Sequence, residues 1–160
     1  MLFAFFQRLI RDQNGVGFVE LALVAPLLAL LFLGMIDLSK IVTTRVDLEQ
    51  AAQRTTDFAL AKRPPNGNTA YLVTEAKNAS GVTNTPDVSV KLTLECDGTV
   101  QANFTDSCSS GQVTARFAEV AIKRQVSTGF NWRAIAAMFG GGSGTYRPVT
   151  VTGDSVVRLQ

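Results

Sequence analysis

A chain of 160 residues, 46% hydrophobic and 18% charged, with 15 basic side chains against 13 acidic ones, holds one modest domain. The near-neutral balance carries no basic stripe and no aromatics interleaved with Lys or Arg, which argues against a nucleic-acid partner. Histidine is absent, which removes the commonest general base, the usual catalytic triads and most zinc sites, so no catalytic residue, metal site or cofactor is expected.

The first fifteen residues, MLFAFFQRLIRDQNG, carry Arg8 and Arg11 opposed only by Asp12. An apolar run follows from Val16 to Ile36, broken by one charge, Glu20. As a helix it rises about 31 Å at ~1.5 Å per residue, the thickness of a bilayer core, and reads as a transmembrane helix. Positive charge before the span and a balanced flank after it (Asp37, Lys40, Arg45, Asp47) orient the amino end toward the cytoplasm and put the rest outside the inner membrane. An ordinary secretory signal places its apolar core before the cut. Here the candidate cut, Gly15, precedes the core, so cleavage there retains the helix.

A carboxylate near the centre of such a helix costs roughly 3 kcal/mol, less toward the ends. Glu20 lies about one turn in, so it either marks the membrane boundary or has a partner. Pro26 interrupts the span with either a plain bend or a hinge, which transmembrane helices tolerate. Gly34 permits close helix approach.

The stretch NGVGFVELALVAPLLALLFLGMIDLSK resembles the amino-terminal segment of the TadE-like pseudopilins of tight-adherence (Tad, or Flp-type) pilus systems. The resemblance rests on Gly15, Glu20, the run Ala22-Leu23-Val24-Ala25-Pro26-Leu27-Leu28, Gly34 and Asp37; where many relatives have an aromatic after the glutamate, this chain has Leu21. It implies that a prepilin peptidase cuts between Gly15 and Val16, leaving Glu20 as the fifth mature residue. It further implies that Glu20 pairs with the new α-amine of a neighbouring subunit in the apolar filament core. Pairing offsets much of the burial cost of both ions and fixes register.

Beyond the span the helical period continues. Leu38, Ile41, Val46 with Leu48, Ala52, Thr55, Phe58 and Ala59 alternate with Asp47, Glu49, Gln53, Arg54 and Asp57, an amphipathic extension whose apolar side needs a sheet to lie on. Arg63-Pro64-Pro65-Asn66-Gly67-Asn68 stops it. A shorter helix is expected from Thr69 or Ala70 to about Ala79, ending at Ser80-Gly81. Val88, Val90, Leu92 and Leu94 then alternate with polar residues as a half-buried strand, with a partner near Thr99 to Phe104. Gln112 to Val126 reads as a longer strand whose alternation changes phase near Ala118-Glu119, predicting a bulge or break. Tyr146 to Leu159 supplies a last strand or hairpin, irregular at Gly153-Asp154. The class is α+β: a long amino-terminal transmembrane helix, continuing into an amphipathic helix packed on a small antiparallel sheet, as in pilin-like proteins.

Cys96 and Cys108 fall in the part expected outside the cytoplasm and most simply form a disulfide; free thiols or half of a metal site are the alternative. Gly140-Gly141-Gly142-Ser143-Gly144 lacks the lysine and following helix of a phosphate cradle and reads as a flexible loop. Phe130-Asn131-Trp132-Arg133 through Phe139 is expected to be helical, either a cover for one sheet edge or a contact patch for a partner. The sequons at Asn78 and Asn103 have little force in a bacterial envelope protein.

The expected layout is a leader at 1–15, a transmembrane helix at 16–36, its amphipathic extension at 37–63 and a periplasmic α+β domain at 64–160. The leading function is a minor subunit or assembly initiator of a Tad pilus used in surface adhesion. Its partners would be the inner membrane, the prepilin peptidase, other pilin subunits and the assembly platform. The alternatives are a pseudopilin of a related type II-like secretion system, and an uncleaved anchor presenting a small periplasmic domain.

Overall fold

A computed structural model describes residues 16–82, 87–138, 140–142 and 147–160. The expected leader with Gly15, and also Phe139, Ser143, Gly144 and Tyr146, lie outside the described residues. Helix α1 runs from Val16 to Ala61, 46 residues, and the chain divides along it into two units, Met1–Ser39 and Lys40–Gln160.

In the first unit α1 is helical from Val16 onward and continues through Pro26, which has no N–H to donate to the Ala22 carbonyl. Among the described residues most of its large apolar side chains are exposed: Leu23 is 75% exposed, Phe32 and Met35 64% each. Asp37 is the exception, buried to 4%.

The second unit is built on the outer part of α1. Leu48, Ala51, Ala52, Thr55, Thr56 and Ala59 are buried at three- and four-residue spacing, with Ile41 and Thr44 half-buried ahead of them. This corrects the expected stripe, because Leu38, Val46 and Phe58 are exposed. The sheet selects the stripe of small residues because they allow the helix backbone to come close, and the bulkier apolar side chains are turned outward. The buried hydroxyls are satisfied: Thr55 Oγ1 donates to the Ala51 carbonyl at 2.8 Å, and Thr56 Oγ1 lies 3.0 Å from Ser155 Oγ on the sheet.

After α1 a 3-10 turn, Pro65–Gly67, leads to α2, Ala70–Ser80. Gly81 closes α2 in the left-handed region (φ 68°), its N–H donating to the Lys77 carbonyl at 2.8 Å, while Arg124 reaches across to donate to the Ser80 carbonyl. Arg54 pairs with Glu75 at 3.1 Å between α1 and α2. Tyr71 donates to the Lys62 carbonyl near the end of α1, and burial pushes its phenol pKa up.

Four antiparallel strands follow: β1 (Val88–Cys96), β2 (Thr99–Val100), β3 (Thr114–Val126) and β4 (Val149–Arg158), in the order β2-β1-β3-β4. The expected α+β class is what the chain adopts. Three expectations about the strands are corrected. β3 has no bulge: its register runs unbroken from Val88↔Ile122 to Cys96↔Thr114 on one side and from Phe117↔Arg158 to Val126↔Val149 on the other. The change of phase is chemical, because the helix-facing side that carries Ala118, Val120 and Ile122 also carries Arg116, whose guanidinium lies 5.6 Å over the Phe104 ring and donates to the Asp106 carbonyl. β2 stops at Val100 rather than near Phe104, since Phe104 leaves the edge to pack on the cluster of Ala59, Leu72, Ala118 and Leu159. β4 is regular through Gly153, which pairs with Ile122.

Fully buried Leu48, Val120 and Ile122, with Val88 and Val151, make the larger cluster between α1 and the sheet, and each such side chain contributes about 1.5–3 kcal/mol. Ile41 and Val126 pack on this cluster, whereas Ala59 and Leu159 belong to the other. The unit therefore has two ends: one where α1 enters beside Val126, the other where α1 leaves beside Leu159.

Candidate functional site

The features singled out in the sequence fall into three places. The first is the start of α1. Val16 is its first residue and Glu20 follows four residues on, exposed in the second turn. Residues at i and i+4 share a face, and helical side chains tilt toward the amino end, so the Glu20 carboxylate projects back toward the turn that begins at Val16. Pro26 lies less than two turns further along.

The second is the surface of α1. An 18-residue window of the helix has a mean hydropathy of 2.5, and 0% of it is buried. Such a helix is long and apolar enough to cross a membrane. The apolar character extends past it, with Leu38, Val42 and Val46 exposed at 61%, 53% and 44% at successive i, i+4 positions. One helix therefore carries a bilayer-length apolar segment, a single acid near its start, and a small-residue face packed on a sheet.

Residues 15–57 match the family described as TadE-like protein. This stretch is similar to the TadE-like family. The TadE-like segment begins at Gly15, takes in Glu20, Pro26, Gly34 and Asp37, and ends within the part of α1 that packs on the sheet. No curated protein and no solved structure matches the chain.

The third place is far from the TadE-like segment in sequence. Cys96, buried at the end of β1, is joined to Cys108 with Cα atoms 5.5 Å apart. The loop so closed has a second tie, because Asp97 N–H donates to the Val113 carbonyl at 3.0 Å and Val113 N–H to Asp97 Oδ1 at 2.8 Å. Asp97 (φ 48°) and Gly98 (φ 79°) form the two-residue turn into β2, a turn that the Asp-Gly dipeptide signals in sequence.

Two of the clefts on the second unit are lined by described residues. The larger, about 350 Å³, is lined by Asp47, Arg54 and Arg124 among others, and both arginines are already engaged, with Glu75 and with the Ser80 carbonyl. The smaller, about 100 Å³, lies beside Arg116 and Gln160. Among the described residues neither cleft joins a nucleophile to a base, and no group of three potential metal ligands occurs. The structure adds to the reading of two residues. Asp37, read as a flanking charge and as part of the family resemblance, is buried, and Gly153, read as a strand irregularity, lies directly against the α1 backbone at Leu48 and Glu49.

Proposed function

We propose that this chain is a pseudopilin cut by a prepilin peptidase between Gly15 and Val16 and held in the inner membrane by residues 16–36. It acts as a minor subunit or assembly initiator of a Tad (Flp-type) pilus used in surface adhesion, by assembly rather than by catalysis. The observation that carries this reading is the extent of the TadE-like match, which starts at the glycine before the apolar helix and runs through the acid, the proline and the junction with the folded unit. The surface of α1 supports it, since a span that is unburied among the described residues is available first to lipid and then to the helices of other subunits. In this reading the leader faces the cytoplasm, residues 37–63 extend the helix, and residues 64–160 form a periplasmic domain that meets other pilins and the assembly platform.

Mass spectrometry of the mature protein from its native membrane tests the processing step. The expected amino terminus is Val16; an intact Met1 would make the chain an uncleaved anchor. Glu20 is the pairing residue for the freed amine, of a neighbour or of its own chain. Glu20→Gln is expected to leave processing intact and to reduce recovery of the subunit in pilus complexes roughly tenfold or more, equivalent to about 1.4 kcal/mol or more per contact. Normal processing together with normal incorporation would remove the pairing role.

A further inference from the structure

Pro26 leaves one backbone acceptor of the apolar segment without its helical donor. The carbonyl of Ala22 would take the N–H four residues on, and Pro26 has none, although α1 runs through it unbroken. In water such a gap costs little. Between Val16 and Ile36, however, Glu20 is the only side chain that bonds hydrogen strongly, and an ionised carboxylate accepts but does not donate. The segment therefore cannot satisfy the Ala22 carbonyl from its own side chains, and in lipid every backbone polar group needs a partner.

Donors are in excess at the start of the same helix. Its first N–H groups have no carbonyl behind them, and a chain cut before Val16 adds an α-ammonium with three N–H donors. The amides of the first turn point along the axis; the ammonium alone is free to turn sideways toward a neighbour. A Glu20 carboxylate occupies part of it. Each donor left over in hydrocarbon carries the cost of lost hydration, so a carbonyl that lacks a donor and an ammonium with donors to spare are complementary. In an array of such helices the unbonded donors are at the starts of the helices themselves, which makes a second copy the partner this chemistry names.

The two acceptors do not lie together. Pro26 follows Glu20 by an interval that, at 3.6 residues per turn and ~1.5 Å per residue, puts it about 120° round the helix and about 9 Å along it. Glu20, Ala22 and Pro26 are all exposed, so both sides are open to neighbours. One ammonium cannot reach both acceptors of one helix. It can reach them on two.

We propose that the Ala22 carbonyl, opened by Pro26, is a second docking point for the Val16 α-ammonium of another copy of this chain. Each freed amino terminus then ties the Glu20 carboxylate of one neighbour to the Ala22 carbonyl of another. The proposal rests on cleavage before Val16 and on residues 16–36 lying in apolar surroundings. A single ion pair sets the register of two helices, whereas an amine shared by acceptors at different heights and on different sides sets the register of three.

Solid-state NMR on the processed full chain, packed at high density in lipid bilayers, tests the contact. An equal mixture is used of copies labelled with nitrogen-15 at valine and copies labelled with carbon-13 at the alanine carbonyl. Among the labelled nitrogens only that of Val16 is an ammonium, whose resonance stands apart from the amides, and mixing restricts dephasing to pairs of different chains. Alanine carbonyls are expected to dephase about half of the ammonium signal, since half of the neighbours carry the label, at a nitrogen–carbon separation of about 4 Å. Ala22→Gly keeps the acceptor but not its label and is expected to abolish the dephasing. Pro26→Leu returns an N–H to the Ala22 carbonyl and is expected to reduce it roughly threefold or more. No dephasing in the unsubstituted chain, or dephasing unchanged in either variant, overturns the proposal while leaving cleavage intact. A missing ammonium signal is a different result: valine is then not the amino terminus, and the cleavage reading fails together with the proposal.

Discussion

Gly153→Val is expected to destabilise the folded unit by about 3 kcal/mol, lowering the thermal midpoint of the full chain in detergent by roughly 10 °C. A Cβ at position 153 would stand 2.4 Å from both Glu49 N and the Leu48 carbonyl carbon, and 2.6 Å from Leu48 Cβ. Two of these atoms are helix backbone, so no rotamer change relieves the clash; the helix has to lift off β4. Lifting it exposes Leu48, which is fully buried, and separates Thr56 from Ser155. Gly98→Ala is the matched control. Gly98 has φ 79° and open space around it, so its replacement is charged only for conformation, about 1 kcal/mol. Circular dichroism melts of the two variants in one detergent compare them directly. Equal losses would mean that the close approach at Gly153 is not what seats the helix.

Removing the Cys96–Cys108 bridge, by reduction or by Cys96→Ser with Cys108→Ser, is expected to cost about 3 kcal/mol, because the cross-link closes a short loop and limits the unfolded chain. Folding should survive, since the reciprocal Asp97–Val113 bonds and the Asp-Gly turn still fix the base of the loop. Urea unfolding with and without reductant measures the effect. A midpoint that does not move on reduction would show that the loop is already held by its backbone ties. The wild-type chain in reductant and the double variant should then coincide, which separates loss of the bridge from damage by the serines.

Much of this architecture is legible in the sequence because it depends on period and punctuation. The apolar run from Val16 to Ile36, the stop at Pro64-Pro65, the short helix ending at Gly81 and the alternation of Val88 to Leu94 are local signals, and the structure contains each of them. What failed were inferences that need the partner surface. The outer half of α1 offers two apolar faces, and choosing between the stripe with Phe58 and the stripe with Ala51 and Thr56 requires knowing that the sheet presents Gly153 and Ser155 beneath it. Arg116 breaks the alternation of β3 only on paper, because Phe104 and the Asp106 carbonyl, in the loop that precedes the strand, receive its charge. Of the candidate site, Glu20 and Pro26 are visible as anomalies within an apolar helix. The burial of Asp37 and the capping of the short helix Trp132–Met138 by Gly140 and Gly141 depend on geometry that composition does not record.

The way α1 seats on its sheet has a consequence for how the chain can change. The face it presents to its own strands is made of Ala51, Ala52, Thr55, Thr56 and Ala59, while Val42, Val46, Phe58 and Leu60 point away from that core. Phe58 meets the Tyr71 ring edge to face at 5.9 Å, but Val42, Val46 and Leu60 are exposed, and substitutions there stay within the small stability range of surface changes. Enlargements on the inward row meet backbone at once. The two faces of one helix are therefore under separate constraints. The inward one is frozen by distance, and the outward one is free to change without any new fold.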